Sequence, residues 1–185
     1  NGSSTGVAPQ RIVSPRGSVA AMSEPRTFIV TGGGRGLGLA AAEKLARAGH
    51  RVLLTARDRK RGEQAVKQIN HAVPGGRVEL RILDLAALAS VRAFAGEVLH
   101  EGLVVDVLLH NAGVMQQSRE RRVTGDGFEE TLQTNTLAPF LLTRELLPAL
   151  ARSTAARVVC VSSMLHMPGT RGEPVNFDFD DPQLL

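Results

Sequence analysis

The sequence contains no tyrosine and no tryptophan, and it has only six phenylalanines and one cysteine among 185 residues. A single cysteine excludes an internal disulfide framework. We expect Cys160 to be buried as a small apolar side chain, because it lies in an apolar run. No apolar run approaches the length of a bilayer crossing, so no membrane span is expected in this segment. The composition, 43% hydrophobic, is sufficient for a globular core.

The basic residues are scattered and do not alternate with aromatic residues. The net charge is +4, yet nothing in the pattern favours nucleic-acid binding. Residues 1–21 lack Asp and Glu and have no apolar core of a secretory signal. With Arg11 and Arg16 they resemble an organelle transit peptide weakly. We favour a disordered leader over residues 1–24, because Met22 opens directly onto the first predicted strand.

A glycine-rich stretch, Thr31-Gly-Gly-Gly-Arg-Gly-Leu-Gly38, is the most informative part of the sequence. An apolar run at residues 27–30 precedes it and predicts a buried strand. Residues 37–48 follow, with Leu37, Ala41 and Leu45 on one helical face. In a strand–turn–helix context, such glycines allow a pyrophosphate to approach the backbone and the helix amino terminus.

The rest of the chain alternates between strand and helix patterns. Strands are predicted at residues 27–30, 51–55, 77–83, 104–109 and 157–161. Helices are predicted at 37–48, 59–72 with Asp58 as a cap, 85–100 and 128–150, the last interrupted by Pro139 and Pro148. This order predicts a doubly wound parallel sheet with helices on both faces, an α/β Rossmann-like fold.

Ligands of such sheets bind beyond the carboxyl ends of the strands, where this chain places polar residues. Arg57 follows the second strand and Arg35 lies in the glycine turn, which favours NADP(H) over NAD(H) because a 2′-phosphate needs positive charge. Asp58 is a competing ribose acceptor, although we interpret it as a helix cap. Asp84 could accept a hydrogen bond from an adenine amino group or simply end its strand.

Several motifs together resemble the short-chain dehydrogenase/reductase family, and most closely its retinol-dehydrogenase-like branch. They are the glycine stretch, Leu83-Asp84-Leu85, Asn111-Ala112-Gly113, Asn135 and Val161-Ser162-Ser163. His110 is a departure from the family pattern, in which an Asn often precedes the residue matched by Asn111. The resemblance implies cofactor contacts from Gly32, Gly34, Arg35, Gly36, Leu37, Gly38, Arg57, Asp84, Leu85, Asn111, Ala112 and Gly113.

The same resemblance implies hydride transfer between NADP(H) and a hydrophobic alcohol or carbonyl compound, with no metal. Ser163, or alternatively Ser162, matches the serine that binds the substrate oxygen, and Asn135 matches the asparagine of the proton relay. Pro139 has no N–H for the Asn135 carbonyl four residues back, which favours that role. A cytoplasmic location is expected, with an organelle as the alternative because residues 1–21 of the leader lack acidic residues. A homodimer is one option for the complete protein, whose oligomeric state the sequence leaves open.

The catalytic tyrosine and lysine of the family have no counterpart here. The family's Tyr-x-x-x-Lys follows the serine, whereas this sequence contains no Tyr. We therefore expect residues 25–185 to form an NADP-binding domain that lacks its carboxyl-terminal strands and helices and is inactive as given. We favour an incomplete record of a working enzyme. The alternative is a catalytically inactive nucleotide-binding module.

Overall fold

The computed structural model describes residues 24–115 and 120–163, which form a parallel sheet covered by helices. The sheet has five strands in the order β3-β2-β1-β4-β5, and every neighbouring pair is parallel. The strands are β1 Thr27–Val30, β2 Arg51–Ala56, β3 Arg77–Ile82, β4 Val107–His110 and β5 Arg157–Cys160. The predicted Rossmann-like fold is confirmed.

Side chains alternate between the two faces of the sheet, and each face has its own core. Ile29 and Leu53 face one core, which contains α3 and α5 and is centred on Phe94. Val30 and Leu54 face the other core, with α1 and α2. The helices are α1 Gly36–Arg47, α2 Arg59–Ala72, α3 Leu88–His100, α4 Glu130–Leu132 and α5 Ala138–Leu150.

Two predicted helices differ in detail from the structure. The buried residues of α1 are Gly38, Ala42 and Ala46, one position beyond the predicted face, and Leu37 is 76% exposed. The first turn of α1 abuts the glycine turn, where only a residue without a side chain fits at position 38. Helix α3 begins at Leu88, three residues later than predicted.

The predicted long helix from residue 128 is divided into three parts. The short α4 is followed by a π-helix, Gln133–Leu137, and then by α5. The Ala138 N–H donates to the Gln133 carbonyl, five residues back. Pro139 lies at the start of α5 and lacks the N–H that would continue the α-helical pattern onto Asn135. The interruption at Pro139 is confirmed, whereas Pro148 remains inside α5.

The prediction that Cys160 is buried is wrong. Strand β5 pairs with β4, and all four of its residues are exposed, including Cys160. Apolar character alone predicts a buried strand, but burial also requires a helix on each face, and within the described residues β5 has none. The expected disordered leader lies almost entirely outside the described residues, as do positions 164–185.

Candidate cofactor site

A cavity of about 390 Å³ lies beyond the carboxyl ends of β1 to β4. Its walls are the glycine turn, the start of α2, the β3–α3 connection and the loop after β4. The two predicted catalytic residues, Asn135 and Ser163, do not line it. All the predicted cofactor contacts do: Gly32, Gly34, Arg35, Gly36, Leu37, Gly38, Arg57, Asp84, Leu85, Asn111, Ala112 and Gly113.

The glycine turn is built where side chains cannot be accommodated. Gly32 and Gly36 have φ of 67° and 57°, a region that L-residues with a Cβ rarely adopt. A Cβ on Gly38 would lie 2.4 Å from Asn111 Nδ2 and 2.5 Å from the Gly32 carbonyl oxygen. The turn therefore brings its backbone against the loop after β4, and it leaves a side-chain-free surface in the cavity.

Helix α1 begins at this turn without a side-chain cap. Arg35 occupies the N-cap position in an extended conformation, and its side chain makes no cap hydrogen bond. The first turn of the helix contains no acidic residue. The positive end of the helix dipole is thus available to an anion in the cavity.

Three arginines line the cavity, and sequence reasoning identified only two of them. Arg35, Arg57 and Arg61 all line the cavity and are exposed. None of the three forms an ion pair within the part of the chain that the structure describes. Arg61 was missed, because its position in helix α2 does not by itself indicate which way its side chain faces. In the structure its Cγ lies 3.5 Å from the position that a Cβ on Gly34 would take.

The carboxylate of Asp58 caps helix α2. Its Oδ1 accepts a hydrogen bond from the Arg61 N–H at 2.7 Å, so the interpretation of Asp58 as a helix cap is confirmed. Asp58 also lines the cavity beside Arg57. A carboxylate that is already occupied by the helix backbone is a weaker acceptor for a ribose hydroxyl.

Asp84 lies just after the end of its strand, in a hydrogen-bonded turn at the cavity wall. Its Oδ1 accepts from the Ala86 N–H at 3.0 Å, and its own N–H donates to Ser90 Oγ at 3.0 Å. Asp84 therefore shapes the turn that delays the start of α3. It lies on the cavity wall next to Leu85, where its adenine contact stays a prediction.

Asn111 ties the ends of β1 and β4 together. Its Nδ2 donates to the Thr31 carbonyl at 2.9 Å, and Thr31 Oγ1 accepts from the N–H groups of Asn111 and Ala112, both at 3.0 Å. The asparagine side chain thus fixes the loop that faces the cavity. Its position in the cavity wall was predicted, but this positioning role was not.

Asn135 lies in the π-helix and holds the same loop from the other side. Its Oδ1 accepts from the Val114 N–H and its Nδ2 donates to the Val114 carbonyl, both at 2.8 Å. Neighbouring Thr134 lines the cavity. Both polar atoms of the Asn135 side chain are therefore hydrogen-bonded to the Val114 backbone. A role of the main-chain carbonyl of Asn135 in a proton relay stays a prediction.

The serine pair follows directly after β5. Ser162 and Ser163 are both exposed, and the cavity lining extends to Val161 beside them. The serines therefore directly follow a lining residue in the sequence, but they do not line the cavity themselves. Their contact with a substrate oxygen stays a prediction.

His110, the departure from the family pattern, is buried at the end of β4. The hydroxyl of Thr143 donates to the Pro139 carbonyl at 2.9 Å, so it must accept from His110 Nε2–H at 2.8 Å. This assigns the proton of the neutral ring to Nε2. Burial lowers the pKa of His110. Its Nδ1 has no hydrogen-bond partner among the described residues.

Comparison with known proteins identifies the family of this chain. A family model described as short chain dehydrogenase matches residues 26–175. The chain belongs to the short-chain dehydrogenase family. Human (Homo sapiens) retinol dehydrogenase 14 is 39% identical over 191 residues, covering 93% of this chain and 55% of that protein.

Other relatives of this short-chain dehydrogenase have similar levels of identity. Bovine (Bos taurus) dehydrogenase/reductase SDR family member 13 is 44% identical over 144 residues, 78% of this chain and 37% of that protein. Mouse (Mus musculus) polyprenol dehydrogenase is 44% identical over 149 residues, which cover 78% of this chain and 44% of that protein. This short-chain dehydrogenase chain spans about half the length of the curated relatives it matches.

Solved structures of family members superpose on this short-chain dehydrogenase. A metagenomic short-chain oxidoreductase in complex with NADP has a TM-score of 0.64 and 33% identity, covering 75% of this chain and 62% of that one. A short-chain dehydrogenase from Sphingobium yanoikuyae in complex with NADPH has a TM-score of 0.65 and 29% identity, covering 76% of this chain and 54% of that one. Across residues 24–115 and 120–163, no helix is both long enough and apolar enough to cross a membrane.

Proposed function

We propose that this chain is the amino-terminal part of an NADP(H)-dependent oxidoreductase. The complete protein would transfer a hydride between the nicotinamide and a hydrophobic alcohol or carbonyl compound. The observation that carries the proposal is the convergence of twelve sequence-predicted contact residues on one cavity. Relatives named for retinol and polyprenol support an apolar substrate class.

The residues of the cavity fit a dinucleotide with an extra phosphate. The glycine turn offers a bare backbone and the uncapped start of α1, which suit a pyrophosphate. Arg35, Arg57 and Arg61 offer three guanidinium groups that have no ion-pair partner in the described part of the chain, and these suit a 2′-phosphate. Solved relatives in complex with NADP or NADPH support this choice.

The chain's own residues would then bind and orient the reactants. When bound, the nicotinamide supplies or accepts the hydride. Ser163 would donate a hydrogen bond to the substrate oxygen, and Asn135 would hold the cavity loop through Val114. Because the sequence has no tyrosine, it offers no phenol to protonate the alkoxide. The chain alone is therefore expected to bind the cofactor without turnover.

The second candidate is a catalytically inactive nucleotide-binding module, and the absent tyrosine is the observation that favours it. Both candidates expect NADPH binding, so binding does not separate them. They differ in whether the complete reading frame encodes a Tyr-x-x-x-Lys sequence after Ser163.

The test is NADPH oxidation by the protein of the complete reading frame. Loss of nicotinamide absorbance should follow the addition of long-chain aldehydes or retinaldehyde. Ser163→Ala should slow turnover by about a hundredfold or more, as expected for removal of a polar group that stabilises developing charge. The Ser163→Ala variant should still bind NADPH. A complete protein that binds NADPH but reduces none of these carbonyl compounds would favour the inactive module.

A further inference from the structure

The side chain of Gln133 is completely buried, yet its amide is fully hydrogen-bonded. Its Nε2 donates to Asp126 Oδ2 at 2.8 Å and to the Leu85 carbonyl at 3.4 Å. Its Oε1 accepts from the hydroxyl of Thr124. A buried amide costs stability unless all its polar atoms have partners, so this residue type matches its surroundings closely.

Asp126 extends the contact from Gln133 to the amino terminus of α3. Its Oδ2 also accepts from the Leu88 N–H at 2.8 Å. The residue at the N-cap position, Ala87, has no side chain that could cap the helix. The Leu88 N–H and the Gln133 amide both lower the pKa of Asp126. An aspartate 38 residues away in sequence therefore supplies the cap.

These contacts hold one wall of the cavity at two points. Leu85 and its neighbour Asp84 line the cavity, and Leu88 begins the helix that follows them. Gln133 donates a hydrogen bond directly to the Leu85 carbonyl, and it is linked to the Leu88 N–H through the carboxylate of Asp126. A single buried amide thus hydrogen-bonds the β3–α3 connection to the segment before α5, in addition to the apolar packing of Leu85 and α3.

The same segment holds the opposite wall. Asn135, two residues after Gln133, is bonded to both backbone groups of Val114, which follows the loop after β4. In the sheet order, β3 and β4 lie on opposite sides of β1 and its glycine turn. The start of the π-helix, residues 133–135, therefore sets the spacing of two cavity walls.

We propose that Gln133 is a positioning residue for the adenosine half of the cofactor, acting through Leu85 and Asp126. This rests on the proposed function, together with the predicted contact between Asp84 on the β3–α3 wall and the adenine. The amide is specific for this place because it has two donors for a carbonyl and a carboxylate and one acceptor for a hydroxyl. A glutamate would face both of those acceptors without a donor.

The test is calorimetric titration of the 185-residue chain with 2′,5′-ADP, which represents the adenosine half, and with NADPH. Gln133→Met keeps the volume but removes both donors, and it should weaken 2′,5′-ADP binding about tenfold. Gln133→Glu should weaken it at least as much.

Two controls separate positioning from general destabilisation. Val98→Ala removes buried methyl groups from the far end of α3 and should lower the midpoint of thermal unfolding without changing affinity. If Gln133→Met does not fold, Thr124→Val serves in its place: it removes the donor to Oε1 and should weaken 2′,5′-ADP binding about threefold.

The outcomes distinguish the two proposals. Wild-type affinity for 2′,5′-ADP in folded Gln133→Met would overturn the role of Gln133 and leave the proposed function intact. A wild-type chain that binds neither 2′,5′-ADP nor NADPH would overturn the proposed function and this inference with it.

Discussion

At the scale of single residues, the guanidinium groups of Arg35, Arg57 and Arg61 supply the positive charge of the cavity lining. Two of them were predicted from position in the sequence, because they follow the first two strands. Arg61 could not be selected in this way, because every third or fourth helical residue is an equal candidate until the helix is oriented. Its contact with Gly34 is what places it in the cavity wall.

Arg57→Asp should reverse the cofactor preference. The change removes a charge-assisted contact to the 2′-phosphate and places a carboxylate where the ribose hydroxyls of NADH lie. NADPH affinity should fall about tenfold or more, and NADH affinity should rise, in fluorescence titrations. Arg59→Asp is the matched control, because Arg59 lies outside the cavity and contacts Glu63. An unchanged ratio of the two affinities in Arg57→Asp would mean that the phosphate contact is misassigned.

His110 should make the stability of the chain depend on pH. Burial lowers its pKa in the folded state, so below a pH of about 6.5 the unfolded chain binds a proton that the native chain does not. The free energy of unfolding should therefore fall as the pH decreases from about 7 to 5. His110→Asn removes this contribution and should flatten the curve in urea titrations.

The difference between wild type and His110→Asn isolates this effect, because His50, whose pKa is also lowered by burial, remains in both. Parallel curves for wild type and His110→Asn would contradict the assignment of a buried, neutral ring.

At the scale of secondary-structure elements, the strand–turn–helix unit at the start of the chain was the most predictable part. Apolar runs located the strands within a few residues because both faces of the sheet are covered. The π-helix was not predicted, because the proline indicates an interruption without fixing its hydrogen-bond pattern. The burial of Cys160 was predicted wrongly for a different reason: it depends on neighbouring helices, which β5 lacks among the described residues.

The glycine turn can be tested by a pair of helical glycines. Gly38→Ala would place a Cβ 2.4 Å from Asn111 Nδ2 and 2.5 Å from a carbonyl oxygen, so it should destabilise the chain by about 1–3 kcal/mol and abolish NADPH binding. Gly96→Ala, in α3 with open space around it, should stabilise the chain by about 0.5–1 kcal/mol and leave binding unchanged. Urea unfolding and NADPH titration measure both. Equal behaviour of the two variants would show that the close approach of turn and loop is not required.

At the scale of the whole molecule, the parallel order of the strands brings the distant contact residues together. Strand and helix alternation was sufficient to predict that the strands are parallel, and with it the edge of the sheet on which the cavity lies, although the strand order itself was not predicted. It was not sufficient to predict how the walls are fixed. The network of Gln133 and Asp126 spans residues far apart in sequence, and such partners emerge only when the helices are packed.

The most direct test of the account is a calorimetric titration of the 185-residue chain with NADPH and with NADH. The account predicts that NADPH binds with a stoichiometry of one, and about tenfold or more tightly than NADH, because the additional phosphate meets the three guanidinium groups. Binding of neither dinucleotide by the folded chain, or tighter binding of NADH, would contradict it.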